Sequence, residues 1–220
     1  MMARGDKTPA PREAARLYLI TPPVADPATL ADELAAALQA TDVAAVLLRL
    51  ADGDERALIG RVKALAPIVQ GAGAALLIEG HAEIVARTGA DGAHLAGIED
   101  FADAQPALKP QRIAGCGGLQ SRDDAMTVAE SGADYVMFGE PDESGDRPAF
   151  DAIEDRVSWW AEVFQVPCVA YAASIDEAEA LARAGAEFIA LGDFVWTETG
   201  GAAATVAAAA QRIAVVEPVS

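Results

Sequence analysis

Thr88-Gly89-Ala90-Asp91-Gly92-Ala93-His94-Leu95 is the first of three versions of one phrase. Ser131-Gly132-Ala133-Asp134-Tyr135-Val136-Met137-Phe138-Gly139 is the second, and Ala184-Gly185-Ala186-Glu187-Phe188-Ile189-Ala190-Leu191-Gly192 is the third. Each follows a helical pattern, over 82–87, 122–130 and 175–183, and each closes on a short apolar run. A helix that stops and a strand that starts would produce this. Gly89, Gly132 and Gly185 are expected in the left-handed conformation at a helix end, where a Cβ is penalised. The runs that follow are too short for helices and apolar enough to be covered on both faces. The glycines are 43 and 53 residues apart, too far and too irregularly for a solenoid repeat. Two βα units fit into each interval.

Read outward from the phrase, the chain predicts eight strands, over 17–20, 44–48, 74–78, 92–95, 112–115, 135–138, 166–170 and 188–191. Amphipathic patterns over 27–39, 54–70, 82–87, 99–108, 121–130, 150–164, 174–183 and 202–213 predict a helix after each. Ser174-Ile175-Asp176-Glu177 reads as a capping box. Residues 140–149, with acids, Gly145 and two prolines, read as a long mobile loop. Strand–helix alternation repeated eight times predicts an α/β fold, a single closed parallel (β/α)8 barrel. A doubly wound open sheet is the rival, and the lack of G-x-G-x-x-G in 220 residues favours the barrel. The expected organisation is a polar arm over 1–16, the barrel over 17–213 and a tail over 214–220.

Hydrophobic residues make up 52% of the chain, enough for a large core. The balance of 16 basic against 34 acidic residues gives a net charge of −18, which disfavours nucleic acid and anionic membrane as partners. No apolar run is long enough to span a bilayer, and the first 16 residues lack the apolar core of a secretory signal. Cys116 and Cys168 form no C-x-x-C pair, and a reduced cytoplasmic setting is expected. A homo-oligomer is compatible with this composition.

In a barrel the chemistry gathers where the strands end. Those positions hold Thr21, Arg49, Glu79 to His81, Ala96 to Asp100, Cys116 to Gly118, Gly139 to Arg147, Tyr171 to Ser174, and Gly192-Asp193. Their order resembles the thiamine phosphate synthase family and its thiazole tautomerase relatives, over nearly the whole chain. Leu17-Tyr18-Leu19-Ile20-Thr21 is similar to the opening L-Y-L-I-T, and Val46-Leu47-Leu48-Arg49 to V-x-L-R. Gly89 to Leu95 is similar to G-A-D-G-V-H-L, Gly132 to Gly139 to G-A-D-Y-V-x-F-G, and Pro167-Cys168-Val169-Ala170 to P-V-V-A.

The resemblance implies thiamine biosynthesis: a hydroxymethylpyrimidine diphosphate is joined to a thiazole phosphate, diphosphate leaves, and Mg2+ assists. By the same resemblance Arg49, Arg147 and His81 are candidate catalytic residues. Thr21, Glu79, Gly118, Gln120, Ala172, Ala173 and Asp193 are expected to contact a thiamine precursor, and Glu99 and Asp100 to meet the metal. Several positions depart from the family pattern. Ala51 stands for a Lys, Gly80 for the magnesium Asp, Gly118 and Gln120 for Ser and His, Ala172-Ala173 for Gly-Gly, and Asp193 for Ser. Weakened or altered activity is therefore expected, and an inactive barrel that binds a small molecule or a partner protein is the alternative.

Other readings stay open on sequence alone. Arg49 either clamps an anion or pairs with Glu79 or Glu99. His81 is an acid–base group or a surface residue. Glu79, Glu99, Asp100, Glu140 and Asp193 form an acidic mouth or a solvated rim. His94 and Cys116 are expected inside the fold, and Trp159 and Trp160 cannot both face the sheet.

Overall fold

A computed structural model describes residues 14–142 and 144–216. Eight strands run in chain order: β1 (Arg16–Ile20), β2 (Val43–Leu48), β3 (Ala75–Glu79), β4 (Gly92–Ala96), β5 (Ile113–Gly117), β6 (Tyr135–Phe138), β7 (Cys168–Ala172) and β8 (Phe188–Leu191). Each pairs in parallel with its neighbour, and β8 closes the ring on β1, with Tyr18 against Ala190. The helices are α1 (Ala31–Ala40), α2 (Glu55–Gly71), α3 (Val85–Thr88), α4 (Ile98–Leu108), α5 (Arg122–Glu130), α6 (Phe150–Val163), α7 (Ile175–Arg183), α8 (Phe194–Thr197) and α9 (Ala202–Ala214). The expected closed (β/α)8 barrel is the observed fold.

The repeated phrase has the structure its glycines imply. Gly89, Gly132 and Gly185 have φ of 78°, 94° and 103°. The acid in each phrase has a structural task that sequence reasoning missed. Asp91 Oδ2 accepts from the Leu76 amide at 2.8 Å, and Asp134 Oδ2 from the Ala114 amide at 2.8 Å. Glu187 Oε2 accepts from the Cys168 amide at 2.9 Å. Each acid thus satisfies an N–H at the start of the preceding strand, where the ladder leaves it open.

Strand parity separates two cores. Leu17, Leu19, Val46, Leu48, Val136 and Phe138 pack between sheet and helices. Tyr18, Ile20, Leu47, Leu77, Tyr135, Met137 and Tyr171 fill the barrel interior. The interior alternates large and absent side chains. A Cβ on Gly115 would overlap the Tyr135 ring, and one on Gly192 would overlap Tyr171. Inside, the Tyr135 hydroxyl lies 3.0 Å from the Tyr18 hydroxyl and 3.0 Å from His94 Nδ1. The three form one buried hydrogen-bonded row.

Several boundaries differ from expectation. Strand seven begins at Cys168, not 166, because the Val166 carbonyl accepts from the Trp160 indole at 2.7 Å and Pro167 has no N–H. The helix expected over 82–87 is a 3-10 turn, Ala82–Ile84, followed by the single turn α3. The short α8 was not anticipated; its Trp196 indole donates to the Ile20 carbonyl at 2.7 Å. Arg16, assigned to the arm, begins β1, and Ala214, assigned to the tail, ends α9. The rest of the expected arm and tail, 1–13 and 217–220, lies outside the described residues. Trp160 is fully buried; Trp159 packs on Phe164 with the Arg122 guanidinium 4.4 Å above its ring.

Gly115→Ala should lower stability by about 1–3 kcal/mol in urea unfolding, the usual cost of overpacking. Gly60→Ala, on α2 with open space at the Cβ, should raise it by about 0.5–1 kcal/mol. Equal effects at the two sites would contradict the packed interior.

Candidate functional site at the barrel mouth

Parity carries the inward rows past the ends of the strands. After Leu47 the next inward residue on β2 is Arg49; after Leu77 on β3 it is Glu79. These two, with His94, Tyr171, Asp193 and Glu140, line a cavity of about 440 Å³. Thus Arg49, Glu79 and Asp193 open on the same end of the barrel. A second cavity of about 200 Å³ lies alongside, bounded by Gly118, Gln120, Arg147 and Arg156. Met137, Glu140, Pro141 and Asp142 border both, so Glu140 stands in the wall between them.

Arg49 is held on three sides. Its Nε donates to the Thr21 carbonyl at 2.7 Å, its amide donates to Thr21 Oγ1 at 3.1 Å, and its Nη2 meets Asp193 Oδ1 at 2.7 Å. The ion-pair partner is Asp193, in place of the expected Glu79 or Glu99. Asp193 follows β8 and Arg49 follows β2, so the pair crosses over the end of β1.

Glu140 follows the strand of the second phrase and turns inward. Its Oε1 accepts from the Gly118 amide at 2.5 Å. A Cβ on Gly117 would overlap Glu140 Oε1 and crowd His94 Nε2, so both atoms border the space that this glycine leaves. Burial pushes the Glu140 carboxyl up to about 7, with Glu79 adding and the Gly118 amide and Arg156 opposing. Burial also pushes His94 down to about 4, so it is a neutral imidazole at pH 7. Glu79 stays open to solvent at the rim, yet its carboxyl is raised, first by partial burial and then by Asp193, against Arg49. Tyr18 and Tyr135 are raised by burial and stay protonated.

The other expected site residues divide clearly. Gly118 and Gln120 do border the second cavity, and Gln120 Nε2 donates to the Gly118 carbonyl at 3.3 Å. Arg147 borders it too, but its guanidinium is used structurally. It donates to the Gly139 carbonyl at 3.1 Å, the Tyr171 carbonyl at 3.2 Å and Glu177 Oε2 at 2.8 Å. Ala172 is corrected: strand parity turns it outward into the core beneath the helices. Ala173 is exposed at the loop, and its amide donates to Glu177 Oε2 at 2.9 Å. Thr21 is fully buried and serves Arg49 rather than the cavity. His81 lies outside both cavities, with Nδ1 3.1 Å from Glu83, which is the surface reading. Cys116 is buried outside the barrel wall, and burial pushes its thiol up to about 12.

Glu99 and Asp100 are exposed in the first turn of α4 and border neither cavity. Among the described residues no group of three or more His, Cys, Asp or Glu side chains is arranged to hold a metal. Of the mouth carboxylates, Asp193 is engaged by Arg49 and Glu140 by Gly118. Without a cluster of three such groups among the described residues, the side chains present do not build a magnesium site on their own. Arg156 is the functional candidate that sequence reasoning missed. It borders the second cavity from α6 and donates to the Leu119 and Gln120 carbonyls at 2.8 and 3.1 Å. Nothing local in the sequence marks it, since its role depends on the fold bringing α6 beside the end of β5.

Comparison with known proteins gives a consistent answer. The profile of the family described as thiamine monophosphate synthase matches residues 17–195. A thiamine-phosphate synthase of Rhodospirillum centenum is 41% identical over 196 residues, covering 87% of this chain and 94% of that protein. One of Hyphomonas neptunium is 38% identical over 210 residues, covering 91% and 95%. Among solved structures, thiamine phosphate pyrophosphorylase from Pyrococcus furiosus superposes with a TM-score of 0.74 at 20% identity, covering 91% of this chain and 96% of that one. At that identity the likeness shows the barrel alone. Among the described residues no helix is long and apolar enough to cross a membrane. A match from β1 to α8, with relatives alike along almost their whole length, establishes that the chain belongs to the thiamine monophosphate synthase family and is a thiamine-phosphate-synthase-like barrel of thiamine biosynthesis.

Proposed function

We propose that the protein acts on a thiamine precursor at the barrel mouth, as a cytoplasmic synthase of weakened activity. The observation that carries this is Arg49, a guanidinium 23% exposed at the rim of the 440 Å³ cavity in a chain of this family. In the family reaction a diphosphate leaves with the bonding electron pair, and the charge it gains must be met by positive groups. Arg49 is the cation at this cavity suited to that task, and Arg156 faces the neighbouring one. His94, neutral and bonded through Nδ1 to Tyr135, lines the wall as a hydrogen-bonding group rather than a cation. The buried row Tyr18–Tyr135–His94 forms the floor.

Weakening follows from charge. Asp193 sits on Arg49, and Glu79 and Glu140 share the same cavity. At ~4 Å and an effective dielectric near 20, one like-charge contact opposes an anionic substrate by about 4 kcal/mol before screening. Ala51 supplies no cation beside Arg49. The Arg61 guanidinium reaches this loop from α2 but is spent on the Ala51 carbonyl. The same pairings favour the second reading, a barrel that binds a precursor without turning it over.

Supplied with both family substrates and Mg2+, the purified protein should form thiamine phosphate well below ~1 s⁻¹, the lower end of ordinary enzyme rates. Oxidised fluorescence of the product follows the reaction. Arg49→Ala should cut the remaining kcat/KM by roughly 10²–10³, the effect of removing one transition-state donor. Turnover at or above ~1 s⁻¹, or no effect of Arg49→Ala, would contradict the proposal. Precursor binding without turnover would favour the second reading.

A further inference from the structure

Four donors at the strand ends are suited to hold an anion, and three carboxylates of the same chain already occupy them. Asp193 takes the Arg49 guanidinium at 2.7 Å. Glu140 takes the Gly118 amide at 2.5 Å. Glu177 takes the Ala173 amide at 2.9 Å and the Arg147 guanidinium at 2.8 Å. The third case has an ordinary cause, because Glu177 lies in the first turn of α7, its amide is capped by Ser174 Oγ, and its carboxylate reaches back only to the residue before that cap. The first two lack one. Asp193 precedes the four-residue α8, yet its side chain makes no cap bond there and reaches across the mouth to Arg49. Glu140 comes from the β6–α6 loop and places its carboxylate over Gly117, at the wall that both cavities share.

We infer that Asp193 and Glu140 are specificity-determining residues, internal counter-anions that hold the mouth's donors and set its affinity for anionic ligands. An entering anion must displace Asp193 from Arg49, or meet its charge, and must compete with Glu140 for the Gly118 amide. Neutral or cationic groups of a ligand meet no such competitor. The inference concerns binding alone and does not rest on the transfer chemistry.

Glu140 also makes the competition depend on pH. Protonated, it carries no charge against the ligand and is a poorer acceptor for the Gly118 amide. The groups facing it are Tyr18 from β1, Glu79 from β3, His94 from β4, Cys116 from β5, Tyr135 from β6 and Arg156 from α6. Between pH 6 and 8 His94 stays neutral, and the tyrosines and the thiol stay protonated. Glu79 is raised in the same direction as Glu140 and reinforces the trend.

Sulfate is the probe, because it remains a dianion over that range. Calorimetric titration at pH 8 should show weak binding to the wild-type protein, and binding about tenfold tighter to Asp193→Ser and to Glu140→Ala, a change of about 1.4 kcal/mol each. Adding Arg49→Ala to Asp193→Ser should abolish the gain. Wild-type affinity should rise from pH 8 to pH 6, and Glu140→Ala should flatten that rise. Asp193 is 61% exposed and its substitution should lower melting by no more than about 4 °C. Asp193→Asn and Glu140→Gln, close in shape, serve if either truncation fails to fold. Folded variants that bind sulfate no better than wild type, or a gain that survives the loss of Arg49, would overturn the inference.

Discussion

The interior of a closed eight-stranded barrel holds only a few large side chains, and this chain fills it with three tyrosines set against glycines. Tyr135 occupies the space where Gly115 has no side chain, and Tyr171 the space beside Gly192. Both hydroxyls of the Tyr18–Tyr135 pair lie in the dry interior, where an unpaired polar group is costly. The row through His94 Nδ1 answers that cost. It also fixes the ring of His94 beneath the mouth. The packing that closes the barrel is therefore the packing that shapes the floor of the site.

Above that floor, electrostatics and not shape distinguish this mouth. Arg49 stands at the rim of the larger cavity, and Asp193 neutralises it from the opposite side of β1. An exposed pair of this kind contributes modestly to stability, on the order of 0.2–1 kcal/mol. Its larger effect is on what can enter. Glu140 is the stronger departure, because its carboxylate is desolvated and bonded to a backbone amide. A protein of net charge −18 gives an anionic ligand no long-range attraction to offset these contacts.

Much of the barrel was legible from the phrase that recurs at Gly89, Gly132 and Gly185, because a left-handed helix end and a short apolar run are local properties. The acids of the same phrase were read only as part of a motif. Their bonds to Leu76, Ala114 and Cys168 connect segments that lie apart in the chain. The site was legible where a residue simply stands at the end of a strand, as for Arg49, Glu79 and Asp193. It was misread where a strand runs further than expected. β7 continues to Ala172 instead of ending at 170, so this residue stays in the outward row with Cys168 and Ala170, and a residue expected at the ligand lies under helices. Arg147 was read as a free cation because nothing in the sequence shows that Gly139, Tyr171 and Glu177 consume its donors. Arg156 was overlooked for the converse reason, as a helical arginine whose task appears only when α6 lies beside the end of β5.

At the wall between the two cavities, Glu140 is a desolvated carboxyl held by a backbone amide and not part of a solvated acidic rim. Carboxyl-carbon NMR of protein labelled at glutamate, titrated from pH 4 to 9 without ligand, tests this most directly. The account predicts that Glu140 titrates at about 7, well above the value of about 4.3 for a glutamate in a model peptide. A Glu140 midpoint at that model-peptide value would contradict it.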